Sequence, residues 1–163
     1  MQVIVIAHNI RSTHNIGSIL RTADGFGVEK VYCTGYTPYP TQVNDSRLPH
    51  ERDKITRQIH KTALGAEASV PNGHHQDISA LLDSLKADGY ELVALEQDAH
   101  AILLPNFTPC EKIALLLGEE VHGISKETLK RFDAIVEIPM HGKKESFNVS
   151  VAAGIALYVL SDL

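Results

Sequence analysis

The stretch MQVIVIAHNIRSTHNIGSILRTADGFGVEKVYC, residues 1–33, decides the fold class of this chain. Val3–Ala7 has the β-branched content of a buried strand. From Ile16 to Phe26, apolar residues recur at helical spacing, and Asn15 stands where an N-cap is expected. Lys30–Cys33 then predicts a second strand. A strand, a helix and another strand in immediate succession predict a βαβ unit with parallel strands.

The rest of the chain continues this alternation. Thr34–Arg52 contains glycine and several prolines without an apolar period, and it predicts a long loop. Apolar runs predict further strands over Ala66–Val70, Tyr90–Leu95, Lys112–Leu117 and Ala134–Ile138. Helical spacing predicts helices over Asp53–Lys61, Asp77–Ala87, Lys126–Phe132 and Asn148–Leu160. This order predicts an α/β fold in a single domain over residues 1–163, with a mostly parallel sheet and helices on both faces.

Composition is typical of a globular protein. Hydrophobic residues make up 44% of the chain and charged residues 21%, a balance that excludes a disordered or fibrous protein. No apolar stretch is long enough to span a membrane, and Met1 leads into the first strand without a basic signal region, so we expect a cytoplasmic protein. Cys33 and Cys110 are expected to be reduced, buried thiols. The histidines show no standard ligand spacing, so no metal is expected.

Charge is distributed unevenly along the sequence. The formal net charge of −5 argues against an indiscriminate nucleic-acid binder. Residues 1–61 nevertheless contain eight Lys/Arg and five Asp/Glu, a net charge of +3, whereas residues 62–163 have a net charge of −8. The first segment therefore predicts either a local basic face or scattered solvated charges, because phosphate binding requires clustering in space.

Three segments carry polar groups and glycines at points where strands are predicted to stop. They read NIRSTHNIGSILRTADGFG from Asn9, LLLGEEVHGIS from Leu115 and IPMHGKKESFNVS from Ile138. In an α/β sheet, the carboxyl ends of the strands form the usual ligand crevice. The three segments are therefore expected to meet in one composite site.

These segments resemble the three motifs of the SPOUT methyltransferases, in particular the SpoU/TrmH group, and the resemblance covers nearly the whole chain. The first motif, NxGxxxR, is matched by Asn15, Gly17 and Arg21. The second and third, a glycine–acid–glycine turn and an SxNxS element, are matched by Gly118, Glu120, Gly123, Ser146, Asn148 and Ser150. The resemblance implies transfer of a methyl group from S-adenosyl-methionine to a ribose 2′-hydroxyl of RNA. It also implies a homodimer and a deep trefoil knot near the C-terminus.

The resemblance further implies roles for individual residues. The catalytic group would be Arg21, Asn15, Glu120, Ser146 and Asn148. The adenosine of the methyl donor would lie against backbone near Leu95, Gly118, Ile138 and Phe147. Apart from the resemblance, Arg11 and, in the long loop, Arg47 and Arg52 are candidates to contact RNA; for the last two, a plain surface loop is the equal alternative. Glu119, next to Glu120, is expected to be the solvated glutamate of the turn.

Methyl transfer is a displacement in which positioning of the nucleophile matters more than strong acids or bases. The planar fork of Arg21 suits a phosphate and would orient the ribose. Direct proton abstraction by Arg21 is chemically difficult, because a guanidinium has no acceptor lone pair. Asn15 is also explained by helix capping alone, and Ser146 with Asn148 is expected to start the last helix and to cap it or hold a ligand.

The sequence leaves two alternatives open, one for the burial of the last helix and one for catalytic activity. The last helix is apolar almost all round, which predicts either burial within one chain or a shared dimer surface. A catalytically silent RNA-binding protein of the same fold is the alternative to an enzyme. The chain has no appended RNA-binding domain in the sequence given, and this economy favours tRNA over rRNA as the substrate.

Overall fold

The computed structural model describes residues 1–119 and 121–161. Its strands are β1 (Gln2–His8), β2 (Lys30–Thr34), β3 (Asn72–His75), β4 (Glu91–Leu95), β5 (Ile102–Leu103), β6 (Lys112–Leu117) and β7 (Ala134–Glu137). Its helices are α1 (Thr13–Gly25), α2 (Pro49–Ala63), α3 (Ala66–Ser69), α4 (Ile78–Ala87), α5 (Lys126–Leu129) and α6 (Val149–Leu160). A 3-10 turn, Leu104–Asn106, follows β5.

The seven strands form one sheet in the order β3-β2-β1-β6-β4-β7-β5. Every pairing between these strands is parallel. Their carboxyl ends therefore all lie at the same edge of the sheet. The predicted α/β fold with a mostly parallel sheet is confirmed.

Alternate residues of the strands face two separate cores. On β1, Val3, Val5 and Ala7 join a core with apolar residues of α1, α2 and α6, whereas Ile4 and Ile6 join a core with those of α4 and α5. A parallel sheet is buried on both faces, which explains the nearly continuous apolar runs of its central strands. Helices cover both faces, as the sequence predicts.

Helix α1 begins with a different cap from the one predicted. Ser12 is the N-cap, and its hydroxyl accepts a hydrogen bond of 3.2 Å from the backbone N–H of Asn15. The prediction that Asn15 caps this helix is wrong, because Ser12 is an equally good capping residue and lies where the chain leaves β1. The side chain of Asn15 is left for a tertiary contact.

Several predicted boundaries are corrected by the structure. Ala66–Val70, predicted as a strand, contains the short helix α3, and the strand that follows is β3. The helix predicted over Asp53–Lys61 begins earlier, at Pro49, where proline is favoured in the first helical turn. Cys33 is buried, but Cys110 is exposed, so the prediction of two buried thiols holds only for Cys33. Burial raises the pKa of the Cys33 thiol to about 12.

Gly17 lets α1 and α2 approach at backbone distance. A Cβ at Gly17 would lie 2.9 Å from the Ala63 nitrogen and closer still to the Ile59 carbonyl oxygen and the Thr62 hydroxyl. That hydroxyl donates a hydrogen bond of 2.8 Å to the carbonyl of His14. The glycine of the first motif therefore has a packing role that needs no ligand.

Strand β7 lies between two strands, β4 and β5, that are close to each other in sequence and come well before it. Leu95 of β4 and Ile102 of β5 both pair with Val136 of β7. The short segment 96–101 therefore crosses from one side of β7 to the other at the carboxyl edge. The chain that leaves β7 must pass this segment, and the Gln97 side-chain amide donates a hydrogen bond to the Glu145 carbonyl there.

Candidate active site

A cavity of about 320 Å³ lies at the carboxyl ends of β4, β6 and β7. Its wall includes all four residues predicted to surround the donor's adenosine, Leu95, Gly118, Ile138 and Phe147. Ser146, predicted to be catalytic, also lines it. The second and third motifs therefore meet at the strand ends, where the sequence predicts a ligand crevice.

Two glycines shape the turn that forms one wall of the cavity. A Cβ at Gly118 would lie 3.2 Å from the Gly123 carbonyl carbon and closer to Ile124, and Gly123 has a φ of 64°. A side chain at Gly123 would also overlap the Glu96 carboxylate. That carboxylate accepts a hydrogen bond of 2.8 Å from the Ile124 N–H. Glu96 therefore ties the turn to the end of β4, and sequence analysis did not single it out.

The described lining of the cavity is acidic. It contains four glutamates, Glu96, Glu119, Glu137 and Glu145, and no lysine or arginine. Oriented carboxylates in a concave site favour a cationic ligand and disfavour an anionic one. The cavity is therefore suited to a ligand with positive charge and is unsuited to phosphate.

Asn148 connects the third motif to the first. It is the N-cap of α6, and its side-chain oxygen accepts hydrogen bonds from the backbone N–H and the hydroxyl of Ser150, at 3.0 and 2.6 Å. These bonds orient its amide nitrogen, which donates a hydrogen bond of 3.3 Å to Asn15 Oδ1. Ser146 lies two residues before the cap, so the expectation that it begins the helix is wrong.

Arg21 is exposed on α1 and is not part of the described cavity wall. It lies six residues beyond Asn15, which corresponds to about 9 Å along the helix axis. Within one chain, the structure thus brings Asn15 and Asn148 into contact, two residues from Ser146 in the cavity wall, and leaves Arg21 outside that wall. Glu120, also predicted to be catalytic, lies outside the described residues.

Glu119 is not the solvated glutamate that the sequence led us to expect. Its side chain is only 13% exposed, accepts a hydrogen bond of 2.8 Å from the Tyr36 hydroxyl and lies 4.0 Å from the Arg11 guanidinium. Arg11 also lies over the Tyr36 ring. No sequence pattern singles out Glu119 from its neighbour, because the role of Glu119 depends on Tyr36, which is more than eighty residues away.

His8 and Asn9 form a hydrogen-bonded cluster at the end of β1. Asn9 Oδ1 accepts a hydrogen bond from the Tyr36 N–H, so its amide nitrogen faces His8 Nε2 at 3.2 Å and must donate to it. The His8 proton is then on Nδ1, 2.8 Å from the Thr34 hydroxyl. Burial lowers the pKa of His8, although Glu119 acts in the opposite direction. A neutral His8 fits both hydrogen bonds.

The guanidinium of Arg47 contacts other residues of its own loop. Its guanidinium stacks over the Tyr39 ring at 3.6 Å, pairs with Asp45 and donates to the Tyr39 and Pro40 carbonyls. The Arg47 guanidinium holds the pKa of Asp45 well below its usual range. Arg52 donates to the Asp45 carbonyl. Through these contacts Arg47 stabilises the fold of the loop. The side chain of Arg11, in contrast, is 71% exposed.

Two further features are absent from the described residues. In that part of the chain, no group of three or more His, Cys, Asp or Glu side chains is arranged to hold a metal ion. Likewise, none of its helices is long and apolar enough to cross a membrane.

Fold and site together define a class: a parallel α/β protein with a ligand cavity at the carboxyl edge of its sheet. Within that class, residues 2–158 match the SpoU rRNA Methylase family. The match extends over nearly the whole sequence, and the chain belongs to this family.

Named relatives differ in the RNA that they modify. The chain is 31% identical over 157 residues to the 23S rRNA (guanosine-2′-O-)-methyltransferase RlmB of Coxiella burnetii, covering 96% of this chain and 56% of that protein. It is 37% identical over 155 residues to the tRNA (guanosine(18)-2′-O)-methyltransferase of Borreliella burgdorferi, covering 95% and 64%. The chain therefore spans somewhat more than half the length of these relatives.

A solved structure has the same fold with a donor bound. The SpoU methyltransferase AviRb of Streptomyces viridochromogenes, in complex with AdoMet, matches with a TM-score of 0.79 and 25% identity. The match covers 98% of this chain and 57% of that one.

Proposed function

We propose that this chain transfers a methyl group from S-adenosyl-methionine to a ribose 2′-hydroxyl of structured RNA. The observation that carries the proposal is the cavity of about 320 Å³ at the carboxyl edge, where segments of the second and third motifs converge. Its volume is at the lower end of the range for small-molecule sites, about 300–1,000 Å³. Family membership and the AdoMet-bound AviRb structure support the same cofactor.

The charge of the cavity supports this donor specifically. S-adenosyl-methionine carries a sulfonium and an ammonium group against one carboxylate, and the described lining offers four glutamates and the histidine His122, without a lysine or arginine. Leu95, Gly118, Ile138 and Phe147 would surround the adenosine. When bound, the donor supplies an electrophilic methyl group, and the protein's task is to hold the ribose hydroxyl in line with it.

Asn15, Asn148 and Ser146 would bound the reacting end of this site. The Asn148–Asn15 hydrogen bond fixes two polar side chains at the junction of α1 and α6. Glu120, which follows Glu119 in the sequence, remains a proposed catalytic residue. Arg21 would bind an RNA phosphate and orient the ribose, and the exposed Arg11 would contact RNA nearby.

We further propose that the active form is a homodimer in which Arg21 of one subunit completes the cavity of the other. Within one chain, Arg21 is absent from the described cavity wall. The outer face of α6 leaves Val151 49%, Tyr158 66% and Val159 36% exposed, an apolar strip that a second copy would cover. Sedimentation at micromolar concentration tests this, because a monomer would refute it.

A trefoil knot near the C-terminus is part of the proposal. Its support is the position of β7 between β4 and β5, which obliges the following chain to pass the short segment 96–101. Knots are very rare, so the expectation rests on family membership together with this arrangement.

The proposed substrate is tRNA, in the cytoplasm. The two relatives named above act on rRNA and on tRNA respectively, so the choice requires experiment. Mapping 2′-O-methyl groups in RNA from cells with and without this protein would identify the nucleotide. Loss of a methyl group only from rRNA would contradict the tRNA proposal.

Calorimetry and transfer of labelled methyl groups into bulk RNA test the function as a whole. We expect the protein to bind the donor and to incorporate methyl groups into RNA. The RNA backbone should then resist base hydrolysis at each modified ribose. Donor and RNA binding without transfer would favour the catalytically silent alternative. Absence of donor binding, with and without RNA, would refute the methyltransferase proposal.

A further inference from the structure

The outer face of α2 carries a row of basic side chains. His50, Lys54, Arg57 and Lys61 recur every three or four residues and are all exposed. At 3.6 residues per turn they fall within a sector of about 60°. That sector is opposite Ile59 and Ala63, which are buried against the core. We call these four residues the α2 stripe.

The charges of the stripe are available to a partner. Among the residues that the structure describes, no carboxylate forms an ion pair with Lys54, Arg57 or Lys61. Glu51 lies in the first turn of α2, beside the N-terminal end of the stripe, and Asp53 pairs with Arg52 close by. Positive charge is therefore strongest around Arg57 and Lys61, in a chain whose net charge is −5.

The stripe is held in a fixed position relative to the first motif. The backbones of α1 and α2 touch at Gly17, and the Thr62–His14 hydrogen bond adds a second connection. Arg21 is exposed on α1, one helical turn beyond Gly17. The acidic lining of the cavity repels phosphate, so attraction for an RNA backbone must come from another surface.

We propose that the α2 stripe is an RNA-docking surface that contacts successive phosphates of the substrate and guides its ribose toward the site containing Arg21. Basic side chains spaced about one helical turn apart, about 5.4 Å, follow a phosphate backbone without reading its bases. This inference rests on the proposed function and specifies the surface by which the substrate is held.

The test compares two charge-matched double variants in the full chain. Arg57→Gln/Lys61→Gln removes two charges, four residues apart, from the stripe. The control, Lys126→Gln/Lys130→Gln, removes two exposed charges at the same spacing beside α5, on the opposite face of the sheet. Binding of bulk tRNA is measured by fluorescence anisotropy between about 50 and 300 mM KCl.

Each phosphate contact contributes about 0.7 to 0.9 to the slope of log K against log salt. For the stripe variant, Arg57→Gln/Lys61→Gln, the magnitude of this slope should therefore be about 1.4 to 1.8 smaller than for the wild type. This variant should bind tRNA about thirtyfold more weakly at 0.1 M salt. Its donor binding and circular dichroism should match those of the wild type. The control variant should bind RNA within about twofold of the wild type.

Equal RNA binding by the two variants would overturn the inference, and it is also the outcome expected if the stripe serves an acidic protein partner. Failure of the proposed function gives a different result, because the wild type itself would then neither bind donor nor methylate RNA. A wild type that methylates RNA, with a stripe variant that resembles the control, would refute the docking surface alone.

Discussion

Replacing Gly17 with alanine should reveal how much the packing of the first motif contributes to stability. The added Cβ would lie 2.9 Å from the Ala63 nitrogen and closer to the Ile59 carbonyl oxygen. Both are backbone atoms, so no side-chain rotation relieves the overlap and α2 must shift. Overpacking of this kind costs about 1–3 kcal/mol. The overlap should also break the Thr62–His14 hydrogen bond, which contributes about 1 kcal/mol.

Alanine also favours the helix over glycine by about 1 kcal/mol. The net expectation for Gly17→Ala is a loss of about 1 to 3 kcal/mol in the free energy of unfolding. For a slope of about 2 kcal/mol per molar urea, the unfolding midpoint should fall by about 1 M. Urea titration followed by circular dichroism, at one protein concentration, measures this change.

Gly25, in the same helix, provides the matched control. A Cβ there meets nothing within 4 Å. Gly25→Ala should therefore leave stability unchanged or raise it by up to about 1 kcal/mol. If Gly17→Ala were as stable as Gly25→Ala, the close approach of α1 and α2 would not be a constraint on this motif.

Three further substitutions address the site. Arg21→Ala and Arg21→Lys should each lower kcat about a hundredfold through loss of positioning, with donor affinity by calorimetry unchanged; near-full activity would contradict the assignment. Tyr36→Phe removes the hydrogen bond to Glu119, worth about 1 kcal/mol, and should weaken donor binding about fivefold, whereas the control Tyr32→Phe should not. Burial lowers the pKa of His8 below its ordinary value of 6.5. As the pH falls, the imidazole of His8 therefore becomes protonated in the unfolded chain before it does in the folded one. The stability contributed by neutral His8 is complete above about 6.5 and is lost progressively below it. Urea unfolding at pH 5.5 and 7.5 should thus differ less in His8→Gln than in the wild type, and an equal difference would reject the argument.

The elements that the sequence predicted well are those buried on both faces. β1, β4, β6 and β7 are apolar runs because each is enclosed by neighbouring strands and covered by helices. The ends of such strands can be located from the sequence alone, which is why the segments beginning at Leu115 and Ile138 were expected to share one crevice, whereas Leu95 was named through the family resemblance.

The elements that the sequence failed to predict depend on neighbours. β3 reads NGHH and is a strand because it pairs with the edge of β2. β5 has only two residues, and its partner β7 comes much later in the chain. The choice between Ser12 and Asn15 as cap has a similar cause, since both residues are good caps and only the exit of β1 decides between them.

Helix α1 has a different contact on each of its sides, and this arrangement predicts which properties change together. Asn15 meets Asn148 beside the cavity, Gly17 meets α2, and Arg21 faces outward. A shift of α1 relative to α2 therefore moves Arg21 relative to the α2 stripe and strains the Asn15–Asn148 bond. Gly17→Ala should consequently weaken RNA binding and donor binding together, whereas Arg57→Gln/Lys61→Gln should weaken RNA binding alone. If Gly17→Ala lowered stability but left both affinities unchanged, α1 would not couple the two surfaces.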